Sequence, residues 1–237
     1  MNTAANKFLD GEVILIDKPL EWTSFDVVKK IRNSISRRAG IKKIKVGHAG
    51  TLDPLATGLL IVCTGKFTKR ITEFQSQEKE YTGTFLMGAT TPSFDKETEI
   101  DNTFETNHIT QELLLETTQQ FIGKIDQVPP KFSAIKIQGI RAYEHARNQE
   151  EVTINARQVH ISTFELTKVE LPEVQFRLVC SKGTYVRSLA RDYGKAINSG
   201  AYLVELKRTR IGDFSLSDAF TIEGFEKYLD ELVQDID

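Results

Sequence analysis

One residue, Asp53, lies where a side chain could do chemistry, in the run KVGHAGTLDPLATGLL at positions 45–60. Glycines give this run backbone freedom, Pro54 prevents a helix from continuing through the aspartate, and the apolar residues 59–63 predict a buried strand directly after it. A carboxylate buried without a partner is costly, so we expect Asp53 to have either a charged partner or a chemical role. Taken alone, the pattern also fits a turn aspartate bonded to its own backbone.

The whole run resembles GHAGTLDPxAxGxL, the signature motif of the TruB family of tRNA pseudouridine synthases. A match of this length, with its glycines in register, is far more specific than a short glycine pattern. The resemblance implies that Asp53 is the catalytic residue. It also implies that His48 occupies the space left by a base flipped out of the RNA.

Other parts of the chain resemble further family motifs. KEY at 79–81 implies that Tyr81 stacks on the target base, although burial preferences alone favour a core tyrosine. CSKGTYVRSLARDYG at 180–194 implies that Arg187 pairs with the catalytic carboxylate, in a geometry that suits arginine. The resemblance also implies substrate-binding or supporting roles for Lys69, Asp95 and Leu206, the last as an apolar residue lining the uracil pocket.

A loop with interleaved basic and aromatic residues is predicted within QVPPKFSAIKIQGIRAYEHAR, at 127–147. Two prolines break regular structure there, and basic side chains suit phosphates while aromatic rings suit bases. The segment resembles the family's thumb insertion, placed at approximately 129–156, which closes over the T arm of tRNA. We expect Lys131, Lys136 and Arg141 to contact RNA.

The segment DKPLEWTSFDVV, at 17–28, predicts a strand, a loop and a basic amphipathic helix. Thr23 and Asp26 form a capping-box pattern at the start of that helix. The segment resembles the family's first motif, with Glu21 where the family usually has glycine. If this position needs a positive backbone torsion, a glutamate there is strained.

Charge is unevenly spread along the chain, although the net charge is only -2. Residues 27–52 contain eight bases and no acid, whereas residues 213–237 contain eight acids and one base and so contribute -7. The remainder of the chain therefore carries +5. A basic segment next to Asp53 suits phosphate binding, and a solvated helix face is the alternative.

Composition places the chain among globular proteins, with 40 % hydrophobic and 27 % charged residues in 237. Neither a membrane span nor a secretory signal is visible, so we expect a cytoplasmic protein. Cys63 and Cys180 lie in apolar runs and predict reduced core thiols. The residue pattern gives mixed α and β structure. The resemblance implies the α+β pseudouridine synthase fold, a mixed, largely antiparallel sheet with flanking helices and a central cleft.

The resemblance covers roughly Asp10 to Phe214. We expect residues 1–214 to form the catalytic domain and 215–237 to form a short acidic helical segment without the family's accessory RNA-binding domain. The activity implied is isomerisation of uridine 55 in the T loop of tRNA. This reaction involves no redox change, so we expect no cofactor and no metal, and we expect a monomer that requires no protein partner. Three alternatives stay open: a non-catalytic tRNA-binding or folding protein, an RNA N-glycosidase that releases uracil, and a guide-RNA-dependent enzyme.

Overall fold

Residues 3–133, 136–137, 140–141 and 153–234 are described in this computed structural model. They divide into a first unit, Met1–Tyr81 with Lys207–Asp237, and a second unit, Thr82–Leu206. The predicted domain boundary at residue 214 stays a prediction. So does the predicted thumb insertion, most of which lies outside the described residues.

Helices form where the apolar spacing is helical. Those described are α1 (Thr3–Asp10), α2 (Ser24–Arg38), α3 (Ile71–Ser76), α4 (Gln111–Thr118), α5 (Val186–Ala196) and α6 (Ile222–Gln234). At the start of α2, the Thr23 hydroxyl accepts a bond from Asp26 N at 3.0 Å, and the Asp26 carboxylate accepts one from Thr23 N at 2.9 Å. This reciprocal pair satisfies two amides that have no partner inside the helix, and it confirms the predicted capping box.

Strands carry most of the remaining core. Those described are β1 (Val13–Lys18), β2 (Val46–Ala49), β3 (Ala56–Thr64), β4 (Lys79–Met87), β5 (Ala89–Thr90), β6 (Asn102–Thr103), β7 (Gly123–Gln127), β8 (Lys136–Ile137), β9 (Ile140–Arg141), β10 (Arg157–Glu170), β11 (Glu173–Cys180), β12 (Ala201–Ile211) and β13 (Phe214–Ser215). In the first unit, β3 pairs antiparallel with β1 and β2. In the second, β10 pairs antiparallel with β7 and β11. With the flanking helices, this confirms the predicted α+β class.

The core of the first unit lies on both faces of β3. Leu60 and Val62 pack in one cluster with the apolar residues of α2 and α6. Leu59, Ile61 and Cys63 pack on the other side with Phe74 and Ile211. Since alternate residues of a strand point to opposite faces, burial of both faces explains the continuous apolar run after Asp53.

Aromatic rings form the core of the second unit. Phe85 stacks on Phe176 with ring centroids 4.2 Å apart, and Phe164 meets Tyr193 edge to face at 5.3 Å. The Tyr193 hydroxyl donates to the Leu114 carbonyl at 2.7 Å, which satisfies the polar end of a buried ring. These contacts fix β4, β10 and β11 against α5, the helix that carries Arg187.

Candidate active site

Asp53 lies between β2 and β3, on the predicted turn. The residue is half-buried, and its carbonyl accepts a hydrogen bond from Ala56 N at 3.0 Å, which closes the chain around Pro54. Its neighbour Leu52 is buried, and both its amide and its carbonyl contact the Ser24 hydroxyl at the start of α2. Leu52 N donates to Ser24 Oγ at 2.9 Å, and that hydroxyl lies 3.2 Å from the Leu52 carbonyl. The backbone that carries Asp53 is therefore fixed to a helix terminus.

A buried arginine, Arg208 on β12, holds the two ends of the Asp53 loop. Only 1 % of its surface is exposed. Its Nε donates to the Leu59 carbonyl at 2.7 Å, and its NH2 group donates to the Gly50 carbonyl at 3.0 Å. Gly58 makes this approach possible, because a Cβ there would lie 2.3 Å from the Arg208 carbonyl oxygen. One guanidinium thus bonds both ends of the segment 50–59.

A second buried cation, Lys18 at the end of β1, bonds the same loop. The side chain is fully buried, and Nζ donates to the carbonyls of Trp22 at 2.6 Å and Pro54 at 3.3 Å. Burial lowers the pKa of Lys18 from 10.5 to about 8, although the negative charge of Asp53 opposes the shift. The positive charge of Lys18 therefore interacts favourably with the negative charge of Asp53, and Arg208 places a second positive charge at the loop that carries it.

The titration of Lys18 predicts how stability depends on pH. Lys18 loses its proton at about pH 8 in the folded protein. The unfolded chain holds that proton to about pH 10.4, so between these values the unfolded state binds more protons and stability rises with pH. From pH 7 to pH 10 we expect the wild type to gain about 2 kcal/mol of unfolding free energy relative to Lys18→Met.

Urea unfolding at a series of pH values measures this difference. Lys66→Met is the control, because Lys66 has 75 % of its side chain exposed. Parallel stability curves for wild type and Lys18→Met would contradict the prediction.

Glu21 has a positive φ, the backbone torsion that glycine usually supplies at this position of the family's first motif. Its φ is +66°, and its amide donates to the Pro54 carbonyl at 2.9 Å, so this residue also supports the Asp53 loop. A side chain in this region is strained, and a β-branched one more so.

We expect Glu21→Val to lower the free energy of unfolding by about 1–2 kcal/mol. Glu21→Gly should stay within about 1 kcal/mol of wild type, since relief of strain offsets the greater freedom of the unfolded chain. Chemical denaturation of the two variants tests this, and equal stabilities would show that the torsion carries no cost.

His48 lies on β2 opposite Val62 and belongs to the same run as Asp53. Burial lowers the pKa of His48, the nearby Arg208 charge lowers it further, and a hydrogen bond with the Gly50 backbone opposes both effects. The ring is therefore neutral at pH 7, which suits a residue that packs against a base. Its predicted contact with RNA stays a prediction.

Two other predicted residues of the first unit differ in exposure. Tyr81 is 8 % exposed and lies on β4, whereas Lys69 is exposed on the 3-10 turn Gly65–Arg70. Burial of the Tyr81 ring equally fits a core residue, whereas exposure leaves Lys69 open to a phosphate, and both roles stay predictions.

In the second unit, Arg187 is paired with Asp95. Arg187 NH1 lies 3.4 Å from Asp95 Oδ2, and the two residues are 3 % and 5 % exposed. Arg187 NH2 donates to the Phe132 carbonyl at 2.9 Å, while Asp95 Oδ1 accepts from Glu97 N at 2.9 Å. Asp95 therefore contacts the arginine directly, and its predicted supporting role in the site stays a prediction. The pairing of Arg187 with Asp53 stays a prediction.

Loss of the Asp95 carboxylate should be costly. We expect Asp95→Ala to lower the free energy of unfolding by about 3–5 kcal/mol, because Arg187 then stays buried after losing this counter-charge. A double-mutant cycle with Arg187→Met, followed by urea unfolding, measures the coupling. The double variant should be clearly more stable than the sum of the single losses predicts, and simple additivity would contradict the pair.

The remaining predicted residues are placed as follows. Leu206 is half-buried on β12, and Lys131 is exposed next to Phe132, whose carbonyl Arg187 bonds. The side chains of Lys136 and Arg141 lie outside the described residues.

Among the residues that the structure describes, no group of three or more His, Cys, Asp or Glu side chains could hold a metal. Within the same residues, no helix is long and apolar enough to span a membrane.

Sequence reasoning did not identify Lys18 and Arg208 as parts of this site. A signal for Lys18 was present, since Ile14, Ile16 and Lys18 alternate along β1 and share its buried face. Arg208 lies in AYLVELKRTRIGDF at 201–214, which resembles the last block of the family, but nothing in the sequence indicated its partners Gly50 and Leu59, which lie far away in the chain.

Comparison with known proteins shows which family the chain belongs to. A tRNA pseudouridine synthase B from Flavobacterium johnsoniae is 59 % identical over 224 residues, covering 94 % of this chain and 98 % of the relative. The enzyme of the same name from Phocaeicola vulgatus is 59 % identical over 224 residues, covering 94 % of this chain and 95 % of the relative. A solved Cbf5-Nop10-Gar1 complex contains a chain with a TM-score of 0.73 and 27 % identity. The alignment covers 98 % of this chain and 58 % of that one.

Fold and relatives together define a pseudouridine synthase, an isomerase of RNA nucleosides. The model of the TruB family pseudouridylate synthase N-terminal domain matches residues 37–186, which include both Asp53 and Tyr81. The chain belongs to the TruB family.

Proposed function

We propose that this chain is a tRNA pseudouridine synthase that isomerises uridine 55 in the T loop of tRNA, acting as a monomer. The observation that carries the proposal is that the side chains of Ser24, Lys18 and Arg208 fix the backbone of the Asp53 loop by hydrogen bonds. Curated relatives named tRNA pseudouridine synthase B support tRNA as the substrate. The TruB signature motif around Asp53 supports the T loop as the target.

The reaction breaks the bond between ribose C1' and uracil N1, turns the base, and forms a bond from C1' to C5. The proton leaves C5 and N1 gains one, so the atoms balance without a redox step. Asp53 is proposed to attack C1' as a nucleophile or to remove a ribose proton, and both routes need an ionised carboxylate. Tyr81 would stack on the base and help to accept the C5 proton. Arg187 would keep Asp53 oriented.

Tritium release from a tRNA transcript labelled at C5 of uridine tests the proposal. We expect release equal to the pseudouridine formed, mapped to a single uridine of the T loop. Free uracil is assayed in parallel, because an RNA N-glycosidase would release it while a synthase retains the base. Tight tRNA binding without tritium release would instead indicate a binding or folding protein, and either result would overturn the proposal. Activity without added guide RNA separates this chain from a guide-dependent enzyme.

A further inference from the structure

Helix α2 carries basic residues on two faces, and one face is neutralised. Lys30 Nζ lies 3.1 Å from the Glu226 carboxylate, and Arg38 Nε lies 2.5 Å from that of Asp230, both acids being on α6. The Ser34 hydroxyl, between the two cations, donates to Glu226 at 2.7 Å. These hydrogen bonds lower the pKa of Glu226 to about 2, so the acid stays ionised at neutral pH. The acidic end of the chain therefore occupies this face.

The other face of α2 is open to solvent and repeats every four residues. Its members are Phe25, which is 63 % exposed, and the exposed residues Lys29, Asn33 and Arg37. Residues four apart are neighbours on a helix, and at 1.5 Å per residue this row is about 18 Å long. Lys42, Lys43 and Lys45 extend it along the loop that follows α2, and all three are exposed. We call this set of seven residues the basic stripe.

The cations of the basic stripe make no direct ion pair among the described residues. Within the part of the chain that the structure describes, none of the five lies within 4.0 Å of an acidic oxygen, although the charge of Asp26 acts on Lys29 and that of Asp230 acts on Arg37 at longer range. The acid nearest to Phe25 in sequence is Asp26, and its carboxylate accepts bonds from the amide and hydroxyl of Thr23.

The basic stripe is also continuous with the Asp53 loop. Ser24, next to Phe25, holds Leu52 next to Asp53. At the other end of the stripe, Lys45 directly precedes β2, the strand that carries His48, and Arg32 NH2 donates to the Val46 carbonyl at 3.3 Å. A partner bound along the stripe therefore reaches the catalytic segment.

We infer that the basic stripe binds the phosphates of the RNA substrate outside the target nucleotide, with Phe25 stacking on an unpaired base. Lysine and arginine side chains neutralise phosphates, an exposed aromatic ring stacks on bases of any sequence, and an amide such as Asn33 can bond a phosphate or a base edge. This inference rests on the proposed function for the identity of the RNA, and it assigns a role to residues for which the family motifs quoted above implied none.

The salt dependence of tRNA binding tests the inference. All proteins carry Asp53→Asn to prevent turnover, and the dissociation constant of a labelled tRNA transcript is measured across a series of KCl concentrations. Removing one phosphate-binding cation should reduce the slope of log affinity against log salt by about 0.7–0.9, so Lys29→Gln/Arg37→Gln/Lys42→Gln/Lys43→Gln should reduce it by about 3. Lys30→Gln/Arg38→Gln removes two cations of the same helix that α6 already neutralises, and it should leave the slope unchanged.

An unchanged slope in the quadruple variant would overturn the inference, and so would an equal effect per charge in the control. Phe25→Ala should weaken binding about tenfold at every salt concentration without changing the slope, and Phe25→Trp should restore it. Binding of Phe25→Ala that equals the parent would overturn the stacking role. Circular dichroism melts confirm that each variant is folded. Because the readout is binding, it decides the role of the stripe even if the wild type forms no pseudouridine.

Discussion

Asp53→Asn is expected to abolish pseudouridine formation while leaving tRNA binding within about twofold of wild type. The backbone of the loop is hydrogen-bonded by the side chains of Ser24, Lys18 and Arg208. None of these bonds involves the Asp53 side chain, so the isosteric asparagine should leave them in place. A neutral amide can neither attack C1' nor accept a ribose proton, whichever route operates. Loss of a catalytic nucleophile or base typically costs about 10⁴-fold or more in kcat.

Single-turnover tritium release at saturating enzyme measures this effect without interference from product release. Asp10→Asn is the matched control, because it neutralises an exposed carboxylate that pairs only with Lys66 among the described residues and should keep wild-type activity. Residual activity above about one-hundredth of wild type would show that Asp53 is not the central catalytic group. Loss of tRNA binding in parallel would mean that the variant disturbs the loop itself.

Arg208→Lys should have the second largest effect on activity, through the position of Asp53. An ammonium group cannot reproduce the planar fork that bonds both Leu59 and Gly50, so one end of the loop loses its anchor. A displacement of about 1 Å at a reacting group can cost about 100-fold in rate, and we expect kcat to fall by that order with little change in KM. Arg208→Met should in addition lower the free energy of unfolding by about 2–4 kcal/mol, because the buried carbonyl of Leu59 and the part-buried carbonyl of Gly50 lose their donor.

The control for Arg208 is available on the same strand. Arg210→Lys changes an arginine that bonds the Gly212 carbonyl at 2.9 Å and the Glu78 carboxylate at 3.2 Å, away from the Asp53 loop. It should retain near wild-type kcat. If Arg208→Lys lowers the melting temperature but keeps a normal kcat, the arginine serves stability alone. If KM rises instead, its role lies in RNA binding.

The activity losses of Asp53→Asn and Arg208→Lys should differ in whether a second change can restore activity. We expect the chemistry itself to need a charged side chain at position 53, so no variant at position 208 should restore Asp53→Asn. We expect the Arg208→Lys defect to come from the position of Asp53. The kcat of this variant relative to wild type should therefore recover partly at lower temperature, where the loop is less mobile. A defect that is independent of temperature would favour a direct electrostatic role for Arg208.

Local features of the sequence determined much of this structure. The capping pair Thr23 and Asp26 fixed the start of α2, because both partners lie within one turn. The apolar run after Asp53 fixed β3, since a strand buried on both faces needs apolar residues at every position. Glu21 occupies a position of positive φ that the glycine of the family motif indicated. The motif itself pointed to the family and to Asp53.

Only the tertiary structure decided which partners the charged residues take. Arg187 pairs with Asp95, 92 positions earlier in the chain, and Ser34 bonds Glu226, 192 residues away. The sequence showed a basic segment and an acidic end, but not that one face of α2 is neutralised and the other is open. Arg208 likewise became part of the site only through its contacts with Gly50 and Leu59. Periodicity and capping act between near neighbours and can be read from the sequence, whereas the partner of a buried charge depends on which distant strands and helices pack against it.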